Sequence, residues 1–185
     1  VDLVEKTALK IIDGGHGHID QGKAIKESLK RLEESVGVSF EIPESEIQDR
    51  YEKAITDKKA HVISNLHGAF GIRPSVDKET ARQFMVGLMD ETYHNPIPEL
   101  EKVFGVKFKA TDEEIEAKQN EDLEKLRFDN LAKIKELTGK ECDRQKLETT
   151  LARLLEKEAT ISSDKRGSYG SDWAKNVKQR FEQFG

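Results

Sequence analysis

Apolar residues along this chain recur at helical spacing and almost never alternate. Ile25, Leu29, Leu32 and Val36 step by four, three and four, which places them on one face of a helix over 20–36. The same periodicity predicts helices over 2–12, 44–56, 58–70, 76–93, 97–104, 112–138, 143–158 and 172–184. The stretch 112–138 reads as the longest. Leu126, Leu131, Ile134 and Leu137 bury its second half, whereas EEIEAKQNEDLEK leaves 112–125 to project into solvent or to lie on a partner. Strand signals are nearly missing, so the predicted fold is all-α, with about eight helices.

A second pattern overlies the first. Gly37, Gly71, Gly105 and Gly139 stand 34 residues apart. LEESVGVSFEIPESEI, NLHGAFGIRPSVDKET and LEKVFGVKFKATDEEI share an apolar residue, Gly, then Val or Ile, a short loop and an acidic helix start. The fourth copy, IKELTGKECDRQKLE, keeps Leu137, Gly139 and Leu147. A fixed period in this range predicts an irregular, solenoid-like stack of helical hairpins. Glycine suits the left-handed residue that closes many helices, and the Val or Ile after it can fold back on the last turn. Thr111 with Glu114 forms a capping box, Pro43 suits a first helical turn, and Ser75 is a candidate N-cap. Gly68-Ala-Phe-Gly71 reads as a helix end and not as a phosphate loop.

Composition narrows the class. The 185 residues are 35% hydrophobic and 36% charged, which suits thin helical packing over a large globular core. The net charge of −5 makes the whole chain a poor ligand for nucleic acid or acidic membranes. One cysteine, Cys142, leaves no internal disulfide and fits a reducing intracellular compartment, cytoplasm or mitochondrion. No apolar run reaches membrane-spanning length, so no membrane insertion is expected. A start at Val in place of Met fits either removal of a leader or a trimmed chain. The expected organisation is a helical-hairpin domain over 1–159, a linker over 160–171 (TISSDKRGSYGS) and an amphipathic C-terminal helix over 172–185.

Candidate chemistry is thin. Asp13, His16, His18 and Asp20 lie in a glycine-rich loop where two imidazoles and two carboxylates could hold Zn²⁺, with His61, His67 or His94 contributing from elsewhere. The competing reading is an exposed interhelical loop. Gly17-x-Ile19 copies the centre of a calcium-binding EF-hand loop, but Ile12 and Lys23 then fall where carboxylates are required. Residues 105–126 resemble the opening of J-domain co-chaperones, but the His-Pro-Asp tripeptide is missing. Cys142 has no histidine near it in sequence to make it a nucleophile. Trp173, Val177, Phe181 and Phe184 form an aromatic stripe on the last helix, suited to docking on a protein partner; with its neighbouring Lys and Arg it could also contact RNA.

Thr7-Ala-Leu-Lys-Ile-Ile-Asp13, followed by Gln21-Gly-Lys-Ala-Ile-Lys-Glu-Ser-Leu-Lys30, resembles the start of the d subunit family of mitochondrial ATP synthase. The spacer is shorter than in that family, and Gly14 replaces the aromatic residue after its Asp. The resemblance implies a non-catalytic, helical peripheral-stalk subunit held by its neighbours. The sequence thus points to a non-enzymatic interaction or assembly subunit of a larger complex that binds other protein subunits and has no cofactor. A zinc-dependent hydrolase built on His16 and His18, and an RNA-binding helical protein, are the alternatives.

Overall fold

The computed structural model describes residues 22–37, 42–91 and 95–164. They form eight helices: α1 (Gly22–Val36), α2 (Glu44–Thr56), α3 (Ala60–Phe70), α4 (Lys78–Val86), α5 (Ile97–Phe104), α6 (Asp112–Glu124), α7 (Phe128–Thr138) and α8 (Arg144–Asp164). No strand occurs among the described residues. The fold is all-α, as the hydrophobic spacing requires.

The helix boundaries repeat. α2 and α6 begin and end 68 residues apart, twice 34, and so do α3 and α7. α4 starts 34 residues after α2, and α5 ends 34 residues after α3. Gly37, Gly71, Gly105 and Gly139 each follow the last residue of a helix at φ between 67° and 73°, the backbone region that side chains disfavour. Each amide donates back four residues, as Gly71 does to the carbonyl of His67 at 2.7 Å. Two of the pairs close internally by another route. Lys58 and Leu126 take up the left-handed conformation without being glycine, at φ 55° and 58°. Lys59 then donates to Ala54 O and Arg127 to Asp122 O, both at 2.8 Å, the crossed pattern of a Schellman turn.

Core positions repeat with the same step. Ile63, Ile97 and Leu131 are buried, and Leu66, Leu100 and Ile134 are sealed from solvent. The described residues cluster in two compact units, where the hydrophobic pattern placed one domain over 1–159. The first holds α1 to α5, through Met89 and again over 95–109. In it α3 is central, packing on α1, α2 and α5, which explains why Val62 to Leu66 are buried in an unbroken run. Phe84 meets Phe104 edge-on at 5.9 Å, joining α4 to α5. The second unit holds Asp90, Glu91 and α6 to α8, with a cluster of Leu123, Phe128, Leu131 and Leu147.

Several expectations are corrected. The helix expected over 112–138 is two helices, broken at residues 125–127 by the turn at Leu126. α6 does not stand free: Ile115, Gln119, Asp122 and Leu123 are buried along one face. Leu126, expected in the core, is 40% exposed. Asp77 and not Ser75 caps α4, because Asp77 immediately precedes the helix and its Oδ1 accepts the amides of Glu79 and Thr80 at 2.9 Å. α4 ends at Val86, and residues 87–90 continue as turns. α8 runs to Asp164, so residues 160–164 of the expected linker are helical. Residues 165–171 and the helix expected over 172–184 lie outside the described residues.

Candidate functional site

The second unit carries a polar cluster gathered around the buried Asp122 and Asn130. α6 is started by the expected capping box: the Thr111 hydroxyl accepts the Glu114 amide, and the Glu114 carboxylate accepts the Thr111 amide at 2.8 Å. From that start, helical spacing brings Lys118, Glu121 and Asp122 to the end of α6. The Leu126 turn then swings Arg127 back over the same face, and Asn130 follows on the first turn of α7.

Asp122 is fully buried. Its Oδ1 accepts from Arg127 Nη2 at 2.7 Å and from Asn130 Nδ2 at 3.2 Å. Asp90 accepts from Lys118 Nζ at 3.0 Å and lies 3.6 Å from Arg127. Glu121 completes the group against Lys118, Lys125 and Arg127 at 3.3, 2.7 and 3.2 Å. Three carboxylates thus face three cations. Asp122 Oδ2 and Arg127 Nε are sealed from solvent without a hydrogen-bond partner. Burial pushes the Asp122 carboxyl up, against the pull of Asn130 and Arg127. Glu121, accepting from Lys125 and Lys118, is held down at about 2. Lys118 is raised: its burial opposes this, and the bonds to Asp90 and Glu121 outweigh it.

This chemistry is charge pairing. Each carboxylate of the cluster is paired with an ammonium or guanidinium, although Asp122 Oδ2 itself accepts no hydrogen bond. No group of three or more metal-type ligands occurs among the described residues. Beside the cluster, a groove of about 700 Å³ runs between α6 and α8, lined in part by Leu123, Leu126, Lys146 and Thr149. Leu126 combines a left-handed backbone with an exposed apolar side chain, two local costs in one residue.

The residues singled out in the sequence fall elsewhere. Asp13, His16, His18 and Asp20 lie outside the described residues, as do His94 and the stripe of Trp173, Val177, Phe181 and Phe184. Thr7–Asp13 also lies outside them, while residues 22–30 form the first turns of α1. His61 and His67 both sit on α3, and His67 Nδ1 is 3.1 Å from the carbonyl of Ile72, a local bond across the helix end. Cys142 packs against the Leu123–Leu147 cluster, and burial raises its thiol, the reverse of what a nucleophile needs.

The polar cluster has one sequence signal, the repeat itself. Residues 57–59 interrupt a helix pair, and two steps of 34 on lie residues 125–127. In the same register Asp122 stands where the other copies have Ala54 and Leu88, and Asn130 where they have Val62 and Pro96, all four buried. No helix among the described residues is long and apolar enough to cross a membrane. Comparison with known proteins finds no matching family model, no similar curated protein and no similar solved structure.

Proposed function

We infer that this chain is a non-enzymatic interaction or assembly subunit. Its helix pairs form an irregular, solenoid-like stack and offer their outer faces to other protein subunits. The observation that supports this is the register: α2 with α3 and α6 with α7 share their boundaries at 68 residues' separation, and glycine closes each pair at steps of 34. Units built this way bury their apolar stripes on one another and keep the remaining surface for partners. Leu126, exposed at the rim of the α6–α8 groove, is the apolar anchor such a surface needs. The resemblance of Thr7–Asp13 and Gln21–Lys30 to the ATP synthase d subunit makes a stalk assembly the first complex to try.

Mild affinity purification of the full chain from its native source tests the reading. Other subunits should be retained at fixed stoichiometry, and Leu126→Lys should release them while circular dichroism stays unchanged. A chain that is recovered alone in repeated mild purifications defeats the reading. Retention that survives Leu126→Lys but not truncation at Gly170 moves the contact from the groove to the tail.

A further inference from the structure

Helix pairs of one length and one core register create a hazard. α6 could pack on α3, or α2 on α7, within one chain or between two chains, because each fits the other's groove pattern. Repeat proteins misassemble by this route when their copies are interchangeable. The first unit has no counterpart of the cluster at the matching positions: Ala54 and Val62 are apolar and buried, and Lys59, at the register of Arg127, is exposed and pairs with Asp57 at 3.2 Å.

We propose that buried Asp122 and Asn130, with the half-buried Arg127, form a pairing-specificity device, which selects α7 over α3 as the helix against which α6 closes. The argument is one of unpaired charge. Against α7, Asp122 meets Arg127 at 2.7 Å and Asn130 at 3.2 Å. Against α3 the same carboxylate would meet Val62 in place of Asn130, and it would also lose Arg127 wherever the 125–127 turn must open to allow the exchange. A buried carboxylate short of partners is far more costly than a lost apolar contact. In the reverse exchange, Asn130 on α7 would lie against Ala54 of α2 with its amide unmatched. Asp90 strengthens the selection from outside the helix pair. It reaches Lys118 on α6 and Arg127 before α7, so the residues entering the second unit recognise both helices together.

A buried ion pair adds little net stability compared with apolar residues of similar size, which is why pairing and not strength is the property assigned here. Polar residues at core positions that fix register are the best-attested use of such groups. The inference rests on the shared register and is independent of what the surface binds.

The test restores the apolar pattern of the other copies in the full chain. Asp122→Leu/Asn130→Val takes its residues from Leu88 and Val62, and leaves Arg127 the carboxylates of Glu121 and Asp90. Asp122→Ala/Asn130→Val, after Ala54, serves if leucine is too large for the site. Asp122→Ala alone should lower the folding equilibrium constant of the second unit by about one order of magnitude, since it leaves Asn130 only its long bond to Asp90 and takes the nearest carboxylate from Arg127. The double variant should recover most of that loss. It should then refold from denaturant into a mixture, with swapped dimers and larger species growing with protein concentration and duplicated amide resonances in α6 and α7. A double variant that refolds to one species at every concentration where the wild-type chain does so removes pairing information from the cluster and overturns the proposal. Double variants that both unfold as readily as Asp122→Ala alone overturn it as well, by making the cluster a stability element.

Discussion

Tyr51 and Gln119 make the same hydrogen bond two repeats apart, although they share no chemistry beyond a donor at the end of a reach. Tyr51 Oη donates to the carbonyl of Ile72 at 2.7 Å, and Gln119 Nε2 donates to that of Lys140 at 3.4 Å. Each acceptor is the residue after a capping glycine, Gly71 or Gly139. The first helix of a pair therefore holds the loop that leaves the second. Other side chains on α2 and α4 do likewise: Gln48 donates to Arg73 O at 2.9 Å, and Arg82 to Lys109 O at 3.0 Å.

Tyr51→Phe should cost the first unit about 1 kcal/mol, the net worth of one intramolecular hydrogen bond. Gln119→Ala should cost the second unit less from its hydrogen bond, because the bond is longer. Burial also raises the Tyr51 phenol, so its share of stability is full below the ordinary tyrosine value and is lost as pH rises through the folded one. Urea unfolding at neutral and strongly alkaline pH measures both effects. An alkaline slope that survives Tyr51→Phe would assign it to other groups.

Leu126→Gly and Lys58→Gly should each raise stability by up to about 1 kcal/mol, because glycine adopts the left-handed turn without the steric cost these side chains bear. Gly139→Ala should do the opposite by about 1–2 kcal/mol. No atom lies within 4 Å of where its Cβ would stand, so the loss would be backbone strain alone. Thermal midpoints of the three variants decide the matter; a stabilising Gly139→Ala would contradict the assigned backbone.

Asp122 and Glu121 should leave opposite marks on acid stability. Glu121 is held down at about 2, so its contribution is present above the ordinary glutamate range and fades as pH falls from about 4.5 towards 2. Asp122 is raised by burial, so its contribution is full below the ordinary aspartate range and declines as pH rises through the folded value. Glu121→Gln should flatten the acid limb of a stability–pH curve, and Asp122→Asn should steepen it. Both variants shifting the limb the same way would count against this pairing of charges.

Thr111→Ala should cost about 1 kcal/mol by opening the capping box at the start of α6. Asp77→Ala should act similarly on α4, where Oδ1 accepts two amides and Oδ2 accepts the Thr80 hydroxyl at 2.7 Å. Ser75→Ala should be close to neutral, since only its backbone amide is engaged. Guanidinium unfolding of the three variants distinguishes the two candidate caps of α4 directly.

Local chemistry by itself determined the all-α class, the glycine helix ends and the Thr111 capping box. Each of these depends on neighbours within one or two helical turns: apolar spacing, a residue free to take positive φ, and a hydroxyl three residues before a carboxylate. What only the tertiary structure decided lay in EDLEKLRFDNLAKIKEL, where no glycine or proline marks a break and every residue accepts a helix. The break at Leu126 exists because α7 must fold back on α6, and the packing against α7 outweighs the local strain. Gln119, Asp122 and Asn130 look like a solvated face for the same reason. Their partners Lys140, Arg127 and Asp90 are brought to them by the turn and by a distant loop, and a buried charge becomes tolerable only once those partners arrive.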